Sequence, residues 1–278
     1  MKNDELPEFV FRKYSGAGNT FLIINDLNSR IITKNDLTIE LCSKPENTVI
    51  DGVIFVERSD YADFKMNYFN RDGTGNALCG NGLRCTAKFI LDEKMSAEKC
   101  INIESVDKIY SSERITSEYY KIKLPPPQKI VTGIKLKVNF SGWWNDISCT
   151  YVDCGSPHIV IMLEEMKFIS ALEDINIDEW GKNVRMHRDL MPEGANVNFV
   201  YYSGGNHIST RVYERGVERE TLASGTGSIA SAIAASLKYN LNPPIEVLAR
   251  SGKTLTVSFV NIKGSITELS LSGEAKLI

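Results

Sequence analysis

The sequence has no apolar run near the roughly 18–20 residues that a membrane span needs. Its opening stretch, MKNDELPEF, is acidic and polar, unlike a secretory signal. Neither a membrane protein nor an exported one is expected, and a cytoplasmic location follows. Charge of one sign is also missing. Lys and Arg number 32 against 35 Asp and Glu, a formal net charge of −3, so no basic excess points to nucleic acid. Histidine is scarce, with three scattered copies. The six cysteines (42, 79, 85, 100, 149, 154) lack zinc-finger spacing, so no metal is expected. Without an export signal, they read as reduced thiols rather than a disulfide set. Neither Gly-x-Gly segment (80–82 and 225–227) is followed by Gly-Lys-Ser/Thr, so a P-loop reading fails. A full G-x-G-x-x-G pattern is absent and strands do not alternate with helices, which disfavours a dinucleotide fold.

What remains is an ordinary globular composition, 42% hydrophobic and 24% charged, in 278 residues. That length suits one large domain or two of common size. Short β-type runs cover 9–14, 21–25, 49–58, 64–70, 100–105 and 119–124. A short helix fits 37–43. Helical periodicity marks 81–95, and a second helix is expected at 225–238. LPPPQK (124–129) lacks amide donors and favours an extended linker, so a domain boundary is placed there. Strand patterns restart at 147–163, and the stretch around EWGKNVR looks helical in part.

Two stretches share one design. ALCGNGLRCTAKFIL (77–91) and TLASGTGSIASAIAASL (221–237) each carry an apolar residue, a small nucleophilic one, Gly-x-Gly and a helical run. The chain thus reads as an approximate duplication, two halves facing each other across a cleft. A helix start offers unpaired N–H groups and a partial positive charge, so it binds anions without a cationic side chain. A thiol there is shifted toward thiolate. Cys79-Gly80-Asn81-Gly82 and Ser224-Gly225-Thr226-Gly227 are therefore two candidate carboxylate cradles. Gly-x-Gly before an apolar helix often serves packing alone, and a buried cysteine is often a small hydrophobe. The duplication, with polar loops at 70–72 (Asn70, Arg71, Asp72) and 214–215, favours the functional reading. No lysine lies in either motif to form a Schiff base.

The segments SGAGNTF, FNRDGTGNALCGNGLRC, GSPHIV, EGANVNF and RVYERGVERETLASGTG together resemble the diaminopimelate epimerase family, in order and spacing, over nearly the whole chain. The resemblance implies an α+β fold of two pseudo-symmetric domains. Each is a curved, mostly antiparallel sheet wrapped around a central apolar helix, with the active site in the interdomain cleft. It implies an N-terminal domain of 1–125 completed by the last strand (268–278), and a C-terminal domain of 126–267. It implies a cofactor-independent isomerase, a homodimer, that converts LL-2,6-diaminopimelate to the meso form for lysine and peptidoglycan synthesis by two-base proton transfer.

By the same resemblance, Cys79 is the first catalytic cysteine with His158 as its polar partner. Ser224 stands where the family has its second cysteine, with Glu214 as that position's partner. Gly80, Asn81, Gly225 and Thr226 would bind the reacting carboxylate. Asn19, Asn70, Ser156, Asn196, Glu214 and Arg215 would contribute to the rest of the substrate site. The sequence departs from the family at Ser224, at Ser156 where many members have Asn, and at ENTVIDG (46–52), which lacks a glycine-rich form. A hydroxyl is a far weaker acid than a thiol, so Ser224 implies severe impairment. Two other readings fit the same fold: a one-base dehydratase or racemase of another amino acid, and a catalytically silent amino-acid-binding protein.

Overall fold

The computed structural model describes residues 11–75 and 78–278. Residues 9 and 10 of the expected first strand, and Ala77 at the head of the first motif, lie outside these. The chain divides into two compact units, Met1–Ile122 with Gly273–Ile278, and Lys123–Ser272. The fold is mixed α+β, with many strands and few helices.

In the first unit, β1 (Phe11–Gly16) and β2 (Asn19–Asn25) form a hairpin, followed by α1 (Lys34–Ser43), β3 (Gly52–Glu57), β4 (Phe64–Asn70) and α2 (Gly80–Asp92). β5 (Cys100–Ser105), β6 (Lys108–Arg114) and β7 (Tyr119–Lys123) complete it. Most neighbours pair antiparallel. The two parallel pairs, β2–β3 and β4–β5, are those whose connections contain α1 and α2, as a parallel pairing requires a crossover. The C-terminal Lys276–Leu277 adds to β1 antiparallel, with Tyr14 opposite Leu277.

The second unit opens with a long hairpin of β8 (Lys129–Phe140) and β9 (Trp143–Asp153). It continues through β10 (Pro157–Met162), α3 (Ile177–Arg185), β11 (Asn196–Gly204), β12 (His207–Glu214), β13 (Arg219–Thr221) and α4 (Gly225–Tyr239). β14 (Ile245–Leu248), β15 (Thr254–Ile262) and β16 (Ser265–Glu274) follow. Again the parallel pairs, β10–β11 and β12–β14, are those bridged by α3 and α4. The sequence-level duplication is therefore also a duplication of strand order and pairing direction, with β8 and β13 as additions.

α4 is buried because it is apolar almost all round, and α2 is buried as fully although it carries Asn81, Arg84, Thr86 and Lys88. α2 touches β1 to β6, and α4 touches β9, β10, β11, β12, β14 and β15, the corresponding strands of its own unit. Every residue from Asn81 to Ile90 and from Gly227 to Ser236 is buried. Phe89 meets Tyr14 edge to face at 5.9 Å. Cutting back an aromatic ring so enclosed costs about 3–5 kcal/mol. α2 stops in a Schellman motif: Lys94 takes φ 56°, and Met95 N–H bonds the Ile90 carbonyl at 2.9 Å. Asn240, at φ 55°, stops α4 in the same way, with Leu241 N–H on the Ser236 carbonyl at 3.2 Å.

The β8–β9 hairpin corrects the sequence reading, which resumes strands only at 147. Leu136, Val138 and Phe140 point into the core of the second unit, while Lys135 and Lys137 are exposed. The turn is the dipeptide Ser141-Gly142, both at positive φ (50° and 88°), as a tight hairpin requires. None of the described helices is long and apolar enough to cross a membrane.

Candidate active site

In the first unit the site is built on the start of α2. Cys79 is the N-cap, in extended conformation (φ −125°, ψ 104°), and its Sγ accepts the Gly82 N–H at 3.3 Å. Asn81 is buried and donates from Nδ2 to Asn19 Oδ1 at 2.7 Å. Asn19 in turn donates to Asp51 Oδ2 at 3.2 Å, and the same oxygen accepts Thr20 N–H at 2.8 Å. Asn70, at the end of β4, donates to Thr74 Oγ1 and accepts from Tyr68 OH at 2.9 Å. Arg71 does not join this group. Its guanidinium donates to the carbonyls of Cys42, Asn47, Thr48 and Ile50, so it clamps the segment before β3.

The second unit repeats the cap. Ser224 caps α4 with φ −126° and ψ 120°, and its Oγ accepts the Gly227 N–H at 3.1 Å. The two caps thus differ by one atom type and share backbone angles and bonding partner position. The glycine at the third helical residue is more closely packed in the second cap than in the first. A Cβ on Gly227 would lie 3.0 Å from Ser224 Oγ, and one on Gly82 3.4 Å from Cys79 Sγ.

Around the second cap lies a polar cluster. His158 is fully buried, with Nδ1 2.9 Å from Asn198 Oδ1 and Nε2 3.0 Å from Ser156 Oγ. Asn198 donates from Nδ2 to the Gly227 carbonyl (2.7 Å) and to Ser231 Oγ (2.9 Å). Its Oδ1 is therefore the acceptor, which assigns the ring proton to Nδ1 and leaves Nε2 as an acceptor. Burial, helped by the charge of Arg215, lowers the imidazole to about 4, against Asn198 and Asp153. Ser156 Oγ also reaches Thr226 Oγ1 at 3.2 Å. Asn196 donates to the Pro157 carbonyl at 3.0 Å and accepts the Arg215 N–H at 2.8 Å. The turn before β10, the start of β11, the loop after β12 and the start of α4 are thus tied together. Glu214 ends β12, directly before Arg215. The Arg215 guanidinium donates to the Glu193 carbonyl at 3.2 Å.

None of the six cysteines forms a disulfide. Burial pushes Cys85, Cys149 and Cys154 up to about 12 and raises Cys42. These four are neutral thiols at physiological pH. Cys79 alone combines partial exposure with a helix start. Two residues that the sequence reading does not name as site residues emerge here, Asp51 and Asn198. An open cavity of about 550 Å3 beside the β8–β9 hairpin, lined by residues including Trp144, His187 and Arg188, contains no residue of either cap.

Residues 11–109 and 150–277 match the family described as diaminopimelate epimerase. The chain belongs to the diaminopimelate epimerase family. This is a family of isomerases. The chain is 33% identical to the diaminopimelate epimerase of Chlorobaculum tepidum over 266 residues, 95% of this chain and 97% of that one. It is 33% identical to that of Aquifex aeolicus, over 90% of this chain and 89% of that one. Solved structures share the fold at much lower identity. A phenazine biosynthesis protein of the PhzF family from Bacillus anthracis aligns with TM-score 0.68 and 14% identity, over 96% of both chains. A hydroxyproline epimerase from Agrobacterium vitis, with trans-4-hydroxy-L-proline bound, aligns with TM-score 0.66 and 12% identity, over 97% of this chain and 90% of that one. The match to the family omits residues 110–149, which contain most of the β8–β9 hairpin.

Proposed function

We propose that the chain acts on 2,6-diaminopimelate as a cofactor-independent epimerase whose inversion step is slowed by Ser224. The observation that carries this reading is the pair of equivalent helix caps, one a thiol and one a hydroxyl, in a chain of this family.

An amino-acid α-proton is very weakly acidic, so the carbanion must be stabilised through its carboxylate. Backbone N–H groups at a helix start do this without a metal or Schiff base. In the proposed cycle the Cys79 thiolate takes the α-proton and becomes a thiol. The electron pair left on carbon is delocalised into the carboxylate, held by N–H groups of Gly80, Asn81, Gly225 and Thr226. Inversion then needs a proton from residue 224 on the opposite face. A cysteine there delivers it and is left as a thiolate. A serine would be left as an alkoxide, far less stable, so Cys79 returns its proton to the original face more often than inversion occurs. His158, neutral with Nε2 as acceptor, and Glu214 are the polar partners in this reading. Asn19, Asn70, Ser156, Asn196 and Arg215 hold the second amino-acid head, Arg215 by its planar fork. A cytoplasmic homodimer belongs to the same reading.

The test is α-deuterium incorporation into LL- and meso-diaminopimelate in D2O, followed by chiral chromatography, for the chain and for Ser224→Cys. A positioned acid–base group contributes roughly 10²–10⁴-fold, and that is the expected gain in inversion. The chain itself is expected to exchange deuterium with little inversion. Absence of exchange in both proteins would refute the reading and favour a cleft that only binds.

A further inference from the structure

Arg84, in α2, is fully buried. Its Nη2 donates to Asn81 Oδ1 at 2.6 Å, while Nε and Nη1 meet no hydrogen-bond partner. A guanidinium does not shed its proton in proteins, so a full charge sits inside the unit. An uncompensated buried charge is strongly destabilising. Its bond to Asn81 places the guanidinium at the first turn of α2, which Cys79 caps, and the ionisable groups near it are Cys85, Cys79 and Tyr119, none of them a carboxylate. Cys85 is fully buried and stays a thiol. Phenols as a class are neutral at pH 7. Cys79 is left. It heads the same helix, and its sulfur already receives an N–H bond that favours an anion.

We propose that Arg84 is the counter-ion that holds Cys79 as a thiolate in the resting protein, and that it positions Asn81 at the same time. A guanidinium only donates, so Asn81 must turn Oδ1 to it and Nδ2 to Asn19. Asn19 then turns Nδ2 to Asp51. Two amides, both assigned above to the substrate, are thereby aligned between a cation and a carboxylate in a single orientation. The second cap has no such device. Ile229 occupies in α4 the place that Arg84 has in α2, five residues past the cap. The asymmetry makes Cys79 the resting base and residue 224 the resting acid. That direction of proton transfer rests on the epimerase reading, while the thiolate does not.

The other titratable groups facing the pair are Cys85 and Lys88 on α2, Tyr119 on β7, and Asp51 through Asn19. Lys88 is paired with Asp92, which also accepts the Tyr14 hydroxyl from β1.

The experiment is the pH dependence of iodoacetamide alkylation at Cys79, read by peptide mass spectrometry on the full chain, with exposed Cys100 as internal reference. In the unmodified chain the midpoint is expected below the ordinary thiol value of about 8.5. Arg84→Met is expected to raise it by a unit or more, a tenfold slower alkylation near pH 6.5. Arg84→Lys keeps a charge and is expected to restore most of the low midpoint. A midpoint at or above about 8.5 in the unmodified chain overturns the proposal, as does a folded Arg84→Met with an unchanged profile. If Arg84→Met does not fold, the unmodified chain and Arg84→Lys decide. Alkylation needs no diaminopimelate, so a failure of the epimerase reading leaves this result standing.

Discussion

Acidification from pH 7 to pH 4 is expected to destabilise this protein partly through one residue, His158. Its imidazole is fully buried and held near 4, whereas an unfolded histidine titrates near 6.5. Between those values the unfolded chain binds a proton that the folded chain refuses, so stability rises with pH across that window. The full benefit is present above about pH 6.5 and is lost on the way down to about pH 4. For these two values linkage gives a loss of about 1.4 kcal/mol at pH 5.5 and about 3 kcal/mol at pH 4. Several carboxylates add slopes of their own. Glu113, for example, is held down at about 2 by Lys121 and Lys99. The comparison that isolates His158 is therefore with His158→Gln. Urea unfolding of both proteins from pH 4 to 7.5 is expected to give stability differences that shrink by roughly 3 kcal/mol as the pH falls. Nitrogen-15 NMR of the three histidines checks the cause, with His158 neutral and protonated at Nδ1 down to pH 5. Parallel curves for the two proteins, or an imidazolium at pH 6, would refute the reasoning.

Gly227→Ala and Gly82→Ala are expected to separate, although alanine is the better helix former by about 1 kcal/mol. At 227 the new methyl meets Ser224 Cβ and Oγ at 3.0 Å and Asn198 Nδ2 at 3.1 Å, so a net loss of about 1–3 kcal/mol is expected in urea midpoints. At 82 the contacts are 3.2–3.4 Å and the change is expected to be near neutral. Equal stabilities would contradict the difference in closeness. Arg71→Met removes four bonds to carbonyls and is expected to cost about 2 kcal/mol, measured by thermal unfolding, without moving deuterium exchange per folded molecule. A large exchange defect at full folding would place Arg71 among the substrate residues.

Both helix starts are legible in the sequence because their signals are local. A small nucleophilic residue, Gly-x-Gly and a helical run need no knowledge of the rest of the chain. Residues that act through register are not legible in this way. Parallel pairing sets His158 opposite Asn196, and alternation then carries Asn198, two residues on, to the same face. Nothing near position 198 announces that it will orient a histidine forty residues earlier. Asp51 is similar, since the β2–β3 register, with Phe21 opposite Gly52, brings it beside Thr20 and Asn19. Arg71 shows the converse. It sits in a polar loop beside Asn70, and only the folded chain reveals that carbonyls of residues 42–50 take its donors. The β8 strand has a clear alternation, but three prolines just ahead of it drew the boundary and masked its start.

The two caps also bear on what a serine at 224 does. At a helix start, serine is among the best N-caps, worth about 1 kcal/mol over alanine, and Ser224 makes that bond. The hydroxyl is thus well suited to the fold and poorly suited to carrying a proton. Cys79 makes the same bond with a softer atom, yet its helix also carries a buried cation without a carboxylate. Helix capping alone does not require that cation, and it belongs to the helix whose cap side chain can become an anion near neutral pH. A helix start is compatible with either role, so the burden of distinguishing them falls on the charge behind it. If restoring cysteine at 224 returns inversion, that second thiol works from the protonated state, without a guanidinium of its own.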